Sequence, residues 1–283
     1  MWIVWLALFA GLPAAVAGWE ARAPREAGEA HFARRGLSHG VRPPSPPPPV
    51  EPVAVYALPA DRARALNAAI PFSRLANPAA RPFRFEGSET DLARAVDCLA
   101  AAQIYEAGDD AVGERAVAQV VLNRVRHPAF PKTVCGVVFQ GQERTTGCQF
   151  TFSCDGALAR TPSPAAWDRA RAIARGALAG DVFKPVGYAT HYHTDWVVPY
   201  WSGSLDKLTR VGTHLFFRWR GWWGTPPAFR TRTIDGGEPL IGRIARLSPA
   251  HSMATPLLPG AITPMADSAD AIAAQARQAI GLD

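Results

Sequence analysis

The sequence LARAVDCLAAAQIYEAGDDAVGERAVAQVVLNRV, residues 92–125, contains two apolar helical patterns separated by a polar break. The first pattern follows helix-start residues at 88–91 and ends at the break, residues 108–110. Its apolar residues recur with the spacing of one helix face: Leu92, Ala95, Val96, Leu99 and Ala102. The second pattern begins near Gly113 and has its own apolar face: Val117, Val120, Val121 and Val125. The sequence therefore predicts two packed helices joined by a short loop.

Glu106 falls on the apolar face of the first helix, seven residues after Leu99 and fourteen after Leu92. This spacing predicts that its carboxyl group faces the core from the last helical turn, where burial disfavours the ionised form and raises the pKa. A carboxyl group that keeps its proton near neutral pH is a candidate general acid. The alternative is that Glu106 turns outward at a frayed helix end or forms a structural ion pair with Arg115 or Arg124.

The composition is that of one domain with flanking segments. The chain has 283 residues, a formal net charge of +6, and 26 prolines and 24 glycines that are unevenly placed. The positive charge suits an anionic partner such as a cell-wall polymer, a phospholipid surface or nucleic acid. Nucleic acid is disfavoured, because the sequence has no basic helix and no Lys/Arg cluster interleaved with aromatic residues.

The N-terminal sequence MWIVWLALFAGLPAAVAG has the apolar run and the small-residue ending of an export signal. We expect residues 1–17 to be a signal peptide or an uncleaved anchor that tethers the protein to a membrane. Either one predicts a location in the periplasm or cell envelope. Residues 18–60 contain PPSPPPPVEP, which predicts a Pro-rich linker, either a semi-rigid spacer or a chain of no defined reach. Residues 61–87 are a segment that flanks the main domain, with a short helix at 61–67.

Four cysteines form an even set, which in an exported protein predicts two disulfides with one of three connectivities: Cys98, Cys135, Cys148 and Cys154. A bridge from Cys98 to the segment that carries Cys148 and Cys154 would hold Glu106 against a second wall. A tetrahedral metal site is the alternative, although the spacing lacks a C-x2-C pair.

Two segments alternate with the period of a strand. The first is GCQFTFSCDG, residues 147–156, and the second is VGYATHYHTDWVVPYW, residues 186–201. On a strand, His191, His193 and Asp195 would share one face and present the ligands of a zinc site. Alternatively, the second segment forms the wall of a cleft and binds sugars through its aromatic residues, or these residues have a purely structural role. They are Tyr192, Trp196, Tyr200 and Trp201.

The remaining C-terminal sequence predicts support for this core. Residues 165–179 have the pattern of a helix that stops at Gly180, and the aromatic residues within 208–223 are expected to close the core. Residues 226–283 are rich in Pro, Gly and Ala. We expect them to form a peripheral tail with one helix at 268–280.

Four runs in this chain resemble the SleB-type cell-wall hydrolases, the family that includes the spore-cortex-lytic enzymes. They are IYEAG, GERAVAQVVLNRVRHPAFPKTVCGVVFQG, CQFTFSCDG and ATHYHTDWVVPYW, and together they cover about residues 95–215. The resemblance implies an α+β, mainly α, lysozyme-like catalytic domain with a small β-sheet at 88–225, flanked by Pro-rich and Ala/Pro-rich tails. It also implies that Glu106 is the catalytic acid. The commoner family pattern E-A-R-G-E reads Glu-Ala-Gly-Asp-Asp here, so the loop lacks the Arg and has Asp109 in place of the second acid.

Only one well-placed acid is apparent, and a lytic transglycosylase needs only one, because the sugar supplies the nucleophile. The main hypothesis is cleavage of the MurNAc–GlcNAc bond of peptidoglycan strands by Glu106 without a cofactor. The groove would be lined by Gln149, Ser153, His191, Tyr192, Asp195 and Trp201. The alternatives are a muramidase that activates water with Asp109 or Asp195, a metal-dependent amidase at His191, His193 and Asp195, and an inactive peptidoglycan-binding protein.

Overall fold

Helices dominate the computed structural model, which describes residues 43–50, 54–145, 147–230 and 237–252. Within these residues the α-helices are α1 (Ala60–Ala69), α2 (Glu89–Ala107), α3 (Ala111–Arg126), α4 (Val134–Val138) and α5 (Pro164–Ala179). The strands are β1 (His191–Thr194), β2 (Asp206–Val211) and β3 (His214–Arg218). Single-turn 3-10 helices lie at Thr151–Ser153, Ala157–Ala159, Lys184–Val186, Ser202–Ser204, Trp222–Gly224, Pro226–Ala228, Gly242–Ile244 and Pro249–His251. This content confirms the predicted α+β, mainly α class with a small sheet.

Helix α2 begins and ends where its sequence predicts. The Ser88 side chain accepts a hydrogen bond from the Asp91 backbone N–H and the Asp91 carboxylate accepts one from Ser88, which completes a capping box. Gly108 ends the helix with φ of 63°, a conformation that glycine adopts without strain. Leu99 is fully buried, but Leu92 is 38% exposed, so the expectation that the apolar face begins at Leu92 is wrong. Leu92 lies on the first turn of the helix, where the neighbouring Asp91 accepts a hydrogen bond from the Glu238 N–H at 2.8 Å.

Helices α2, α3 and α5 pack against one another. Asp110 caps α3 through its Oδ1 atom, which accepts the Val112 N–H at 3.0 Å, and the four predicted apolar valines of α3 are all fully buried. Gln103 of α2 donates a hydrogen bond to the Ala170 carbonyl of α5 at 3.2 Å. Helix α5 ends at Gly180, as predicted, with φ of 118°. These contacts confirm the two predicted packed helices and fix the direction in which the end of α2 points.

The sheet is antiparallel in the order β1-β3-β2. Tyr192 lies opposite Phe216, and His193 lies opposite Leu215. Because side chains alternate across a strand, Tyr192 and Phe216 share one face of the sheet while His191 and His193 share the other. Phe216 is buried against α3, with Tyr192 packed beside it. The aromatic residues predicted to close the core do so, since Phe216, Phe217, Trp219 and Trp223 are all buried.

The predicted strand at residues 147–156 is wrong. Cys148 and Cys154 form a disulfide that closes a six-residue separation, and a single 3-10 turn lies between them. The Ser153 and Cys154 N–H groups bond to carbonyls three residues earlier, which satisfies the backbone locally without a partner strand. The alternation describes burial as far as Phe152, since Cys148, Phe150 and Phe152 are buried, and it fails after that, where Ser153 of the predicted polar face is buried.

The second disulfide joins Cys98 to Cys135, which confirms two disulfides but corrects the expected partner of Cys98. The bridge connects α2 to α4, not to the segment that carries Cys148 and Cys154. Helix α4 is drawn to α2 by its buried valines, so Cys135 lies next to Cys98.

Segments predicted to be peripheral also pack on the domain. In the tail, Ile241 and Ile244 are buried, and the Glu238 carboxylate accepts the Val134 and Cys135 N–H groups at 2.8 Å each. These two N–H groups lie at the start of α4 and need an acceptor, which is why the tail is held there. The interpretation of 226–283 as peripheral is therefore wrong for its described part. Residues 253–283, with the predicted helix at 268–280, lie outside the described residues.

The Pro-rich segment is likewise not a free spacer over its described part. Ser45 accepts a hydrogen bond from the Trp223 indole at 3.2 Å, and Val50 packs against the core. Helix α1 confirms the predicted short helix and extends it by one or two residues at each end. Residues 1–17 lie outside the described residues. Among the residues that are described, no helix is both long and apolar enough to span a membrane.

Candidate active site

Glu106 lies on the last turn of α2, one residue before the helix ends at Ala107. Tyr105 beside it stacks on Phe152 with ring centroids 5.1 Å apart, and the Tyr105 hydroxyl donates to the Arg160 carbonyl at 2.5 Å. The loop that follows the Cys148–Cys154 disulfide is thereby packed against the end of α2. Glu106 is half-buried between this loop and the sheet.

The Glu106 carboxylate is contacted by the phenol of Tyr192. The Tyr192 hydroxyl donates a hydrogen bond to Glu106 Oε2 at 2.9 Å across 86 residues of sequence. Tyr192 reaches the acid because it points from β1 toward the helices, where its ring packs near Phe150, His214 and Phe216. This contact brings together two of the residues that the sequence predicts for the site.

Burial raises the pKa of Glu106 above its ordinary value of 4.5. The Tyr192 hydrogen bond and the positive charge of Arg124 lower the same pKa, and the negative charge of Asp155 raises it. Burial also raises the pKa of Tyr192 well above its ordinary value, so this phenol keeps its proton and acts as a donor. Burial therefore favours the protonated form of a carboxyl group at the end of a helix.

Arg124 is the buried cation of this region, and it is 4% exposed. Its Nε donates to the Thr190 carbonyl at 2.7 Å, and its guanidinium lies over the Phe130 and Phe150 rings at 5.3 and 5.2 Å. Burial lowers its pKa to about 10, so it remains charged at neutral pH. None of the ion pairs between described residues includes Glu106, so the alternative of a structural pair with Arg115 or Arg124 is wrong.

Asp155 is not among the residues that the sequence predicts for the site. It is exposed, its Oδ1 accepts the Ala157 N–H at 2.8 Å, and its charge acts on Glu106. The stacking of Phe152 on Tyr105 brings this loop to the end of α2. The sequence signal for this proximity was the expected bridge from Cys98 to the segment that carries Cys148 and Cys154, and that bridge is not formed.

Among the described residues, Tyr192 is the one predicted groove residue that forms a hydrogen bond with the Glu106 side chain. Ser153 is buried and its hydroxyl donates to the Phe150 carbonyl at 2.8 Å, while Gln149 is half-buried. His191 and Trp201 contact each other, with ring centroids 5.2 Å apart, on the sheet face opposite Tyr192. Asp195 follows β1 and binds the guanidinium groups of Arg64 and Arg210 at 3.2 and 2.8 Å.

The alternative of a metal site at His191, His193 and Asp195 finds no support in the geometry. Each histidine engages a neighbour through Nδ1, His191 with the Thr190 hydroxyl and His193 with the Thr194 carbonyl, both at 2.9 Å. Among the described residues, the three side chains do not converge at metal-ligand distances. The set that does converge is Cys98, Cys135 and His251, and both of its sulfurs are joined in a disulfide.

The loop after Glu106 differs from the commoner family pattern, and Asp109, which takes the place of the second acid, forms an ion pair with an arginine of α5. Asp109, with its side chain 87% exposed, binds the Arg169 guanidinium at 3.1 Å. Arg169 also binds the fully buried Glu114 at 2.8 Å.

A cavity of about 530 Å³ between α3 and α5 is lined by residues that do not include Glu106: Arg115, Ala118, Gln119, Ala172, Ile173, Ala177, Asp181, Val182 and Phe183.

Comparison with known proteins identifies the class of this region. Residues 108–217 match the family described as Cell Wall Hydrolase, and Glu106 lies two residues before that match. The predicted resemblance to the SleB-type cell-wall hydrolases is thereby confirmed for this segment. It is the segment that carries α3 and the sheet.

Two curated relatives are spore cortex-lytic enzymes. The one from Halalkalibacterium halodurans is 36% identical over 110 residues, which are 38% of this chain and 30% of the relative. The one from Bacillus cereus is 32% identical over 110 residues, 38% of each chain. This chain thus spans about a third of the length of the curated relatives it matches.

Solved structures of two similar catalytic domains are known. The crystal structure of the catalytic domain of Bacillus cereus SleB is 26% identical, with a TM-score of 0.35, and the alignment covers 48% of this chain and 95% of that one. The catalytic domain of the germination-specific lytic transglycosylase SleB from Bacillus anthracis is 28% identical, with a TM-score of 0.34, covering 47% and 97%.

Proposed function

We propose that this protein cleaves the glycan strands of peptidoglycan and that it is a lytic transglycosylase of the MurNAc–GlcNAc bond. The observation that carries the proposal is the half-buried Glu106 carboxyl group, whose pKa is raised by burial and which accepts a hydrogen bond from Tyr192. The Cell Wall Hydrolase match over residues 108–217 supports the substrate class. The predicted export of the chain to the periplasm or cell envelope agrees with that substrate.

The proposed reaction uses one carboxyl group twice. Protonated Glu106 donates its proton to the glycosidic oxygen, and the C1–O4 bond breaks to release GlcNAc with a free 4-hydroxyl group. The C6 hydroxyl of MurNAc then attacks C1, and the Glu106 carboxylate takes the proton from that hydroxyl. The product is 1,6-anhydro-MurNAc, and no water is consumed.

In this mechanism Tyr192 and Arg124 stabilise the ionised form of Glu106. Between the two proton transfers Glu106 carries a negative charge in a desolvated position, which is costly without compensation. The Tyr192 hydrogen bond and the buried charge of Arg124 both favour that anion. They therefore stabilise the carboxylate between the two proton transfers, while burial favours the protonated form that starts the reaction.

Hydrolysis by a muramidase is the second candidate, and the charge of Asp155 favours it. A hydrolase needs a second carboxylate to activate water or to stabilise the sugar cation. Asp109 and Asp195, the earlier candidates for this role, are both bound to arginines. Asp155 is exposed, and its charge acts on Glu106.

Mass spectrometry of the products from digested sacculi distinguishes the two reactions. A lytic transglycosylase releases muropeptides that are one water lighter than the hydrolytic products, because the anhydro bond replaces a reducing end. We expect the lighter products. Products with reducing ends would instead establish a muramidase, and the release of free stem peptides from intact strands would contradict both glycosidase mechanisms.

A further inference from the structure

Three of the four exposed aromatic side chains in the described part of the chain are carried by two segments that bond to each other. Tyr56 is 50% exposed, Tyr200 is 58% exposed and Trp196 is 39% exposed. We call these three residues the aromatic platform. Apolar side chains that stay in contact with water in this way often mark a binding surface.

The platform is built by pairing across the chain. Val55 forms an isolated antiparallel bridge with Pro199, the Tyr56 N–H donates to the Val198 carbonyl at 3.0 Å, and the Tyr200 N–H donates to the Ala54 carbonyl at 3.1 Å. The Tyr56 and Tyr200 rings meet edge to face with centroids 4.2 Å apart. Tyr56 lies outside the family match, which covers residues 108–217. Because its backbone and its ring both contact the segment that carries Tyr200, its position is fixed before any ligand binds.

Trp196 is contacted by Arg64 of helix α1. The Arg64 guanidinium lies 5.9 Å from the centre of the Trp196 ring while its Nε binds Asp195 at 3.2 Å. Asn67 donates from Nδ2 to the Asp195 and Val197 carbonyls at 2.8 Å each. The loop that carries Trp196 is thus tied down at several points, which lowers the entropy lost when a ligand binds to it.

The chemistry of this surface fits a sugar polymer with acidic substituents. Exposed tyrosine and tryptophan rings offer a flat apolar face for the C–H groups of a sugar ring and a polar edge for its hydroxyl groups. Arg64 and Arg210 lie beside the platform with side chains that are about half exposed, and together with Asp195 they carry a net positive charge. Stem-peptide carboxylates of peptidoglycan complement that charge.

Two of the platform residues lie on the loop that directly follows the strand carrying the partner of the acid. Strand β1 (His191–Thr194) carries Tyr192, which donates a hydrogen bond to Glu106, and Trp196 and Tyr200 follow β1 in the sequence. We propose that the aromatic platform of Tyr56, Trp196 and Tyr200 is a second binding surface for the peptidoglycan glycan strand that is cleaved at Glu106. The identity of the polymer rests on the proposed function, whereas the existence of the surface does not.

Sedimentation with insoluble peptidoglycan sacculi tests this inference. The full chain carrying Glu106→Gln is used as the background, so that the polymer is not degraded during binding. We expect Tyr56→Ala with Tyr200→Ala to lower the affinity for sacculi about tenfold, because two ring contacts are lost. Tyr56→Phe with Tyr200→Phe keeps the rings and retains most of the affinity. Leu75→Ala, at a 47% exposed position in the segment 61–87, is the control for loss of an exposed apolar side chain and should have no effect.

The single change Tyr200→Ala replaces the double variant if thermal unfolding shows that the latter does not fold. Equal sacculus binding by the folded alanine variants and the background would overturn the proposal. Binding to anionic phospholipid vesicles that depends on Tyr56 and Tyr200, without such binding to sacculi, would also overturn it and assign the surface to a membrane. If protein with an intact Glu106 releases no muropeptides while the alanine variants still lose sacculus binding, the proposed function fails and the platform stands.

Discussion

Glu106 at the end of α2 and Glu114 at the start of α3 are both withdrawn from solvent, but they differ in what they contact. Glu114 is fully buried, and its two carboxylate oxygens accept hydrogen bonds of 2.8 to 3.3 Å from the Arg169 guanidinium. Glu106 accepts a hydrogen bond from the neutral Tyr192 phenol and belongs to none of the ion pairs between described residues. The two acids are eight residues apart, and of the two only Glu114 has a cation in direct contact.

The difference separates a structural carboxylate from one suited to donate a proton. A cation in direct contact compensates the buried charge of Glu114, so its negative charge helps to hold α3 against α5. Glu106 has only a neutral donor in contact, and burial therefore raises its pKa. Both carboxyl groups are withdrawn from solvent, so the charge of the direct partner is what distinguishes them.

Replacing Glu106 with glutamine should produce the largest loss of activity. Glu106→Gln removes the only group we propose for both proton transfers, so we expect the rate of muropeptide release to fall by about 10² to 10⁴. The variant should fold and be at least as stable at pH 7 as the wild type. Because the folded-state pKa of Glu106 is raised, the wild type loses stability as the pH rises above 4.5 through that pKa, whereas the amide does not titrate.

The measurements for this variant are muropeptide release and thermal unfolding at several pH values. Full activity in Glu106→Gln would remove the distinction between the two acids. A large loss of folding stability at neutral pH would assign Glu106 to the structural class with Glu114.

Replacing Glu114 with glutamine should lower the folding stability and leave the activity nearly unchanged. Glu114→Gln leaves Arg169 without its buried partner, and we expect the free energy of unfolding to fall by about 2–3 kcal/mol, reduced from the value for a fully buried pair because Arg169 is partly exposed. The activity per folded molecule should stay near that of the wild type. Urea denaturation gives the stability, and a double-mutant cycle with Arg169→Gln isolates the pair. A folded but inactive Glu114→Gln protein would contradict the structural role.

Removing the phenol hydroxyl of Tyr192 should change activity less and shift its pH dependence. Tyr192→Phe deletes a hydrogen bond that lowers the pKa of Glu106, so the pKa rises and the acid keeps its proton to higher pH. The alkaline limb of the pH–rate profile should move to higher pH, and the rate at its optimum should fall about tenfold because the carboxylate loses its donor. Tyr105→Phe is the control, since the Tyr105 hydroxyl bonds to the Arg160 carbonyl and not to Glu106. An unmoved alkaline limb in Tyr192→Phe would contradict the assignment.

Removing the charge of Asp155 should give the smallest shift in the pH–rate profile, in the direction opposite to that of Tyr192→Phe. Asp155→Asn abolishes a negative charge that raises the pKa of Glu106, so the alkaline limb should move to lower pH. Asp109→Asn is the matched control, because Asp109 is paired with Arg169. If Asp155→Asn abolishes activity outright and the products carry reducing ends, Asp155 is the second carboxylate of a muramidase.

Much of the helical part of the fold could be predicted from residues 88–126. The capping box at Ser88, the break at Gly108 and the buried valines of α3 are local signals, and each depends only on neighbours within a few residues. Glu106 was predicted on the same basis, because a period of 3.6 residues specifies which face of a helix a side chain occupies. Local signals were less reliable at 148–154, where alternating burial is produced by a disulfide-closed turn instead of a strand.

The sequence by itself therefore determined the helices, the position of the acid on the apolar face of α2, and the set of four cysteines. Tertiary structure alone decided that Tyr192 donates to Glu106 across 86 residues, that Asp155 acts on the same carboxyl group, and that Cys98 pairs with Cys135. It also decided that residues from both flanks complete the domain, with Tyr56 beside Tyr200 and Glu238 at the start of α4. The physical reason is that periodicity specifies only the direction a side chain takes from its own element. Which group it meets there depends on how distant elements pack.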